Sequence, residues 1–213
     1  GLAGCEAAWQ LSNAGIPVDL YEMKPKKYSP AHKYQGFAEL VCSNSLKASR
    51  LDSAAGLLKE EMRILGSIIV PCAYETSVAA GGALAVDRTA FSDLVTERIK
   101  SRENINIIYD ELKEIPDGNV IIATGPLTSD ALADSISEIC GSYLSFFDAA
   151  APIVSFDSLD KNLVFFASRY GRGDDDYINC PMNKEEYLEF YNALISAESA
   201  ELKEHDREFF KVY

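Results

Sequence analysis

Residues 1–22 read GLAGCEAAWQLSNAGIPVDLYE and predict a helix, a turn and a strand in that order. The helix runs from Gly4 to Asn13 and carries small alanines that allow close packing on a sheet. Gly15 follows it, at the position where helices commonly end. The strand, 16–22, is apolar and closes on the acid Glu22. Glycines before a helix, and an acid about 20 residues later at a strand end, are typical of dinucleotide-binding units.

The opening glycines match the last two of a Gly-x-Gly-x-x-Gly fingerprint. Gly1 would let the backbone approach a pyrophosphate, and Gly4 would let the helix pack on the sheet. Free amides at the helix start favour a phosphate. Glu22 is expected to accept hydrogen bonds from the adenosine ribose, and its charge disfavours NADP. The first strand and glycine of the fingerprint would precede residue 1, so we interpret the chain as a fragment.

The rest of the first 148 residues alternates between predicted strands and helices. The predicted helices are 54–65, 88–100 and 128–140, and the predicted strands are 84–86, 104–109, 111–115 and 119–123. This alternation predicts an α/β fold with a mostly parallel sheet, of the Rossmann-like FAD/NAD(P)-binding kind. The last strand is expected to be buried, and the turn after it, Ala123-Thr124-Gly125, to bring backbone close to the cofactor.

After residue 143 strands recur without long helices between them, until a predicted helix at 184–196. We therefore predict a FAD-binding domain at 1–148, lacking its first strand. A smaller inserted α+β domain for substrate and tRNA is predicted to begin at 149 and to continue to 213.

Composition limits the class of protein. The formal net charge of −13 argues against a generic nucleic-acid-binding surface, although a basic cluster lies between Lys24 and Lys33. No secretory signal or long apolar segment is present, which predicts a cytoplasmic protein without membrane association. The five cysteines and two histidines show no metal-ligand spacing, and reduced thiols are expected. Cys5, Cys72 and Cys140 are expected in the core.

Four further strings carry a resemblance. They are FAELVCSNS at 37–45, GGALAVDR at 81–88, FDAAAPIV at 147–154 and YINCPM at 177–182. In this order after GLAGCEAA, they resemble the bacterial folate- and FAD-dependent tRNA (uracil-5-)-methyltransferases, related to the glucose-inhibited division protein A family. The resemblance implies that FAD, reduced by NAD(P)H, accepts a one-carbon unit from methylenetetrahydrofolate. That unit passes to carbon 5 of a T-loop uracil in tRNA and forms ribothymidine.

The resemblance also implies a role for Cys42, either as the nucleophile or as an acid/base thiol. From the residues alone, Cys42 could equally be a buried structural cysteine. Ser43, Asn44 and Ser45 are candidate helix-capping groups, and a thiol at a helix start gains acidity. Asn44 and Ser45 are expected to line the same pocket.

Two other groups are candidate contacts. Gly81 and Gly82 would let backbone approach the flavin ring. Arg169, Tyr170 and Tyr177 mix cations with aromatic rings, as contacts to looped RNA do. The expected partners are therefore tRNA and a folate, and homo-oligomerisation is left open.

Two other functions compete with this interpretation. The related flavoprotein that modifies wobble uridines in tRNA shares the fold. A nucleotide-binding module without catalysis is the third candidate, since fold alone does not determine function. Under the first interpretation, the fragment by itself is expected to be inactive.

Overall fold

A computed structural model describes residues 1–141, 154–168 and 174–198 of the 213-residue chain. The chain divides into two compact units, Gly1–Phe146 and Phe147–Tyr213. Among the described residues, no helix has the length and apolar character needed to span a membrane.

The first unit mixes helices and strands, which agrees with the predicted α/β class, but its sheets are not mostly parallel as predicted, because only β1 and β5 among its described strands pair in parallel. Its helices are α1 (Leu2–Asn13), α2 (Ala54–Ile64), α3 (Ile69–Glu75), α4 (Arg88–Lys100) and α5 (Asp130–Cys140). Its strands are β1 (Val18–Tyr21), β2 (Ser45–Ala48), β3 (Ser77–Val78), β4 (Ala83–Val86) and β5 (Ile105–Ile108). Strands β1 and β5 pair in parallel, and β2, β4 and β3 form an antiparallel sheet in that order.

The opening segment folds into the predicted helix, turn and strand, although α1 begins two residues earlier than predicted and β1 is shorter. The first helical hydrogen bond of α1 runs from the Cys5 amide to the Gly1 carbonyl, at 3.1 Å. Gly15 adopts φ 75°, a left-handed conformation that suits glycine, and turns the chain into β1. Glu22 follows β1, and its amide donates to the Ile108 carbonyl at 3.1 Å, extending the parallel pairing by one bond.

The core of this unit lies between α1, α3, α4 and the strands β4 and β5. Helix α4 contributes Phe91, Val95 and Ile99, which are fully buried and lie four residues apart on one face. Asp87 caps this helix by accepting a hydrogen bond from the Ala90 amide at 2.9 Å. A helix cap and an apolar stripe can both be recognised in a sequence. Helix α4 accordingly has the bounds that the sequence predicts.

Two predicted strands are wrong. Residues 111–115 and 119–123 are not strands, and the apolar residue Ile121 is 62% exposed rather than buried. A strand needs a neighbour to pair its backbone groups. In the described part of the chain the parallel sheet contains β1 and β5 alone, and neither pairs with these segments.

Helix α2 does not bury its leucines. Leu57 and Leu58 face solvent, as does Leu65 directly after the helix, which is 76% exposed, while Gly56 and Lys59 are buried. Gly56 explains this orientation, because a Cβ there would lie 1.8 Å from the Arg50 carbonyl oxygen. The helix therefore approaches the chain before it through its glycine face rather than its leucines.

In its described residues, the second unit contains a short 3-10 helix (Phe156–Ser158), a short antiparallel strand pair and a longer helix. Strands β6 (Phe165–Phe166) and β7 (Ile178–Asn179) pair, and α6 (Lys184–Ser196) follows. Asn183 and Glu186 form a capping box at the start of α6. This helix has the predicted bounds, whereas the boundary predicted at 148–149 lies outside the described residues.

Candidate functional site

The start of α1 provides free backbone donors. Because the first helical bond begins at Cys5, the amides of Leu2, Ala3 and Gly4 have no acceptor within the helix. A Cβ placed at Gly4 would lie 3.6 Å from the Ala123 Cβ. Ala123, the first residue of the Ala123-Thr124-Gly125 turn, therefore lies against the first turn of α1. This separation is ordinary van der Waals contact, so glycine is less strictly required at Gly4 than the fingerprint predicts.

The turn itself has a defined geometry. Gly125 adopts φ 70° and opens a short 3-10 helix, Gly125–Leu127. The Thr128 hydroxyl donates to the Gly125 carbonyl at 2.7 Å and lies 2.6 Å from the Thr124 hydroxyl. These bonds hold the turn without a strand on its amino-terminal side.

Glu22 lies near the same helix start. One of its carboxylate oxygens accepts a hydrogen bond from the Lys24 amide at 3.0 Å. The pKa of the nearby Cys5 thiol is raised mainly by burial, and the Glu22 carboxylate raises it further. The end of β1 is therefore within electrostatic range of the first turn of α1, as a pyrophosphate-and-ribose site requires.

Cys42 lies in a segment with unusual backbone conformation. Its side chain is exposed. Ala38, at φ 52°, and Lys47, at φ 69°, flank it and are the non-glycine residues with positive φ in the described part of the chain. Such conformations are costly for residues with a Cβ and concentrate at functional sites. Nothing in the amino-acid pattern signals this feature, and sequence reasoning missed it.

The residues after Cys42 do not cap a helix, which corrects the expectation for Ser43, Asn44 and Ser45. Ser45 begins β2, and the Asn44 side-chain amide donates to the Val86 carbonyl at 3.0 Å. The Val86 amide in turn donates to the Asn44 carbonyl at 3.0 Å. These groups of Asn44 are therefore satisfied across β2 and β4 rather than at a helix start.

Gly81 and Gly82 lie in the turn between β3 and β4. Gly81 adopts φ 56°, and the Gly82 carbonyl accepts a hydrogen bond from the Ser49 amide at 3.0 Å. The structure therefore brings this turn beside the end of β2. The segment before Cys42 reaches α1 as well, since Ala38 and Cys5 are buried in the same core cluster. The helix start and the Cys42 segment thus belong to one region.

The lysines of the basic cluster between Lys24 and Lys33 mostly pair with acids or backbone carbonyls. Lys24 is buried, and its ammonium group donates to the carbonyls of Tyr34, at 3.1 Å, and Gly36, at 2.6 Å. The ion pairs of the loop are Lys24–Glu39, Lys26–Asp110 and Lys27–Glu111. Acidic neighbours therefore offset most of its charge.

Three other residues are predicted to contact tRNA, and Cys140 is expected in the core. Arg169 and Tyr170 lie outside the described residues, and Tyr177, in the second unit, precedes β7 with its carbonyl accepting from the Ala167 amide at 3.0 Å. Cys140 is exposed, contrary to expectation, because α5 has only Leu132 buried. Within the described ranges, no group of three or more His, Cys, Asp or Glu side chains could hold a metal ion.

Comparison with known proteins identifies relatives of this chain. The chain is 63% identical over 210 residues to a methylenetetrahydrofolate–tRNA-(uracil-5-)-methyltransferase of Acetivibrio thermocellus, covering 98% of this chain and 48% of the relative. The enzyme of the same name from Fusobacterium nucleatum is 60% identical, with the same coverage. That from Bacillus licheniformis is 57% identical over 211 residues, covering 99% of this chain and 49% of the relative.

The chain thus spans about half the length of the curated relatives it matches. The family described as glucose inhibited division protein A matches residues 1–212, nearly the whole sequence. The chain belongs to the glucose inhibited division protein A family.

Proposed function

We propose that the chain supplies the FAD-binding part of a folate- and FAD-dependent tRNA (uracil-5-)-methyltransferase. The observation that carries the proposal is the meeting of three features: the glycine start of α1, the turn at Ala123, and Glu22 at the end of β1. Together they suit a pyrophosphate and a ribose. The relatives named above support the choice of reaction, which forms ribothymidine at a T-loop uracil.

The residues present fit the cofactor. The unpaired amides of α1 would hold the pyrophosphate, and Glu22 would accept from the ribose hydroxyls. Gly125 and the Gly81-Gly82 turn would let backbone approach the flavin. FAD, when bound and reduced by NAD(P)H, supplies the redox chemistry that moves the one-carbon unit from methylenetetrahydrofolate.

Cys42 is the proposed catalytic thiol. Its exposure would let it reach a uracil, and the uracil must become nucleophilic at carbon 5. A thiolate adding to carbon 6 achieves this, and a thiol that moves the carbon 5 proton is the other role. Asn44 and Ser45 would form the wall of this pocket through their pairing with β4.

The tRNA would be held elsewhere. We assign it to an inserted α+β domain that begins near residue 149, with Arg169, Tyr170 and Tyr177 as contacts to the T-loop. The target uracil must leave its stacked position to reach the flavin.

The Cys42→Ala variant of the full-length protein tests this function. With methylenetetrahydrofolate and NADH, ribothymidine formation in tRNA should fall by roughly 100-fold or more, since a covalent or proton-transfer role is lost. The flavin spectrum should be unchanged. Cys140→Ala, which removes another exposed thiol, is the matched control and should retain activity.

Two outcomes would contradict the proposal. Full activity in Cys42→Ala would remove Cys42 from the site. A colourless wild-type protein that binds no flavin would favour the nucleotide-binding module instead.

A further inference from the structure

Lys59 is a buried lysine on α2 whose ammonium group binds backbone rather than a carboxylate. The residue is 8% exposed, and its Nζ donates to the Leu46 carbonyl at 2.7 Å and the Ala55 carbonyl at 2.8 Å. Among the described residues it forms no salt bridge. Burial lowers the pKa of this lysine. Lysine is rarely buried without an acid, so its position calls for a specific reason.

The carbonyl that Lys59 binds belongs to a bulge in β2. Ser45 pairs with Ala85 and Ala48 with Ala83, so Leu46 and Lys47 together oppose a single residue of β4. Lys47 takes the positive φ of 69° within this bulge. A left-handed lysine is strained, and such a conformation persists only where its surroundings hold it.

The start of α2 brings Lys59 to the bulge. Gly56 packs against the Arg50 backbone with no room for a Cβ, and the Ser53 hydroxyl donates to the Arg50 carbonyl at 2.7 Å. Lys59 lies about one turn further along α2, and its ammonium group donates to the Leu46 carbonyl. Ser53, Gly56 and Lys59 thus contact residues between 46 and 50, which follow Cys42 in the chain.

We propose that Lys59 is a positioning residue for Cys42. By holding the Leu46 carbonyl it keeps the bulge, and with it the left-handed Lys47, in place. The bulge in turn sets where the chain between Cys42 and Ser45 enters the β2–β4 pairing. The link to catalysis rests on the function proposed for Cys42.

The test uses a rescue that only this role predicts. Lys59→Met keeps the length of the side chain but removes the ammonium group. Lys47→Gly removes the strain, because glycine adopts positive φ without cost. The double variant should therefore regain what Lys59→Met loses. Lys100→Met, at an exposed position on α4, is the matched control.

Two measurements on the full-length protein are needed. Hydrogen exchange of peptides spanning 42–48 should speed up in Lys59→Met, remain slow in Lys100→Met and return toward wild type in the double variant. The kcat for ribothymidine formation should fall on the order of tenfold or more in Lys59→Met, with the KM for tRNA unchanged, and recover in the double variant.

Unchanged exchange at 42–48 in Lys59→Met would overturn the proposal, as would a double variant no better than Lys59→Met. Failure of the proposed function is distinguishable, because an active Cys42→Ala variant would reject the thiol role while leaving the exchange result intact.

Discussion

Burial separates the chemistry of the cysteines. Cys72, on α3, is fully buried, whereas Cys42 is exposed beside the candidate site. Burial raises the pKa of the Cys72 thiol from 9.0 to about 11. At the pH of the cell Cys72 is therefore an unreactive core residue, while Cys42 is open to a substrate.

The Cys72 shift predicts a loss of stability in alkali. The folded protein keeps this proton up to a higher pH than the unfolded chain does. The free energy of unfolding should therefore fall as pH rises from about 9 to about 11, by about 1.4 kcal/mol per pH unit from this group. Urea titrations of wild type and Cys72→Ala over this range should show a shallower slope in the variant. Equal slopes would contradict the prediction, and Cys140→Ala should match wild type.

Glu22 predicts an effect on cofactor affinity. In Glu22→Gln, the FAD affinity of the full-length protein should fall about tenfold, because charge-assisted hydrogen bonds to the ribose are weakened. Fluorescence titration of the flavin-free protein measures this. Glu103→Gln, at an exposed position before β5, should bind FAD as wild type does. Unaltered affinity in Glu22→Gln would place the ribose elsewhere.

At the scale of elements, contact with a neighbouring segment determined which face of α2 is buried, and the sequence pattern did not. Helix α2 has an apolar stripe that predicts a buried leucine face, yet it docks through Gly56 and Lys59. The leucine pattern specifies an amphipathic helix, but the close approach to Arg50 determines which side turns inward.

Helix α2 gives a direct test of that docking. Gly56→Ala would place a Cβ 1.8 Å from the Arg50 carbonyl oxygen, and backbone must move to relieve the clash. The variant should lose about 2 kcal/mol or more of unfolding free energy despite the higher helix propensity of alanine. Thermal or urea denaturation measures this. Ala54→Ser, at an exposed position two residues earlier, should leave stability nearly unchanged. A Gly56→Ala variant more stable than wild type would refute the docking.

At the scale of the whole chain, the formal net charge of −13 leaves little positive charge for the proposed contacts with tRNA. The basic loop after β1 was the best local source of positive charge in the sequence. In the structure Lys24 is buried, and Lys26 and Lys27 pair with acids. This loop therefore contributes little to a field that would attract phosphates.

In the full-length protein, the double variant Lys26→Ala/Lys27→Ala should accordingly bind tRNA with an affinity within about twofold of wild type, because both lysines pair with acids. If they contacted phosphates instead, each contact would add measurably to the salt dependence of binding. Filter binding at several salt concentrations gives both the affinity and the salt slope. A loss greater than about fivefold, or a slope reduced by about one, would show that the loop contacts the tRNA backbone.

The amino-acid sequence alone determined α1, the Gly15 turn, β1 and α4, because caps, glycines and apolar periodicity act within a few neighbouring residues. It also identified the family, through strings that span the chain. Tertiary structure alone decided that 119–123 is not a strand, that α2 docks by its glycine, and that Lys59 binds the Leu46 carbonyl within the β2 bulge. These features depend on which backbone groups meet across the fold, and no local pattern encodes that meeting.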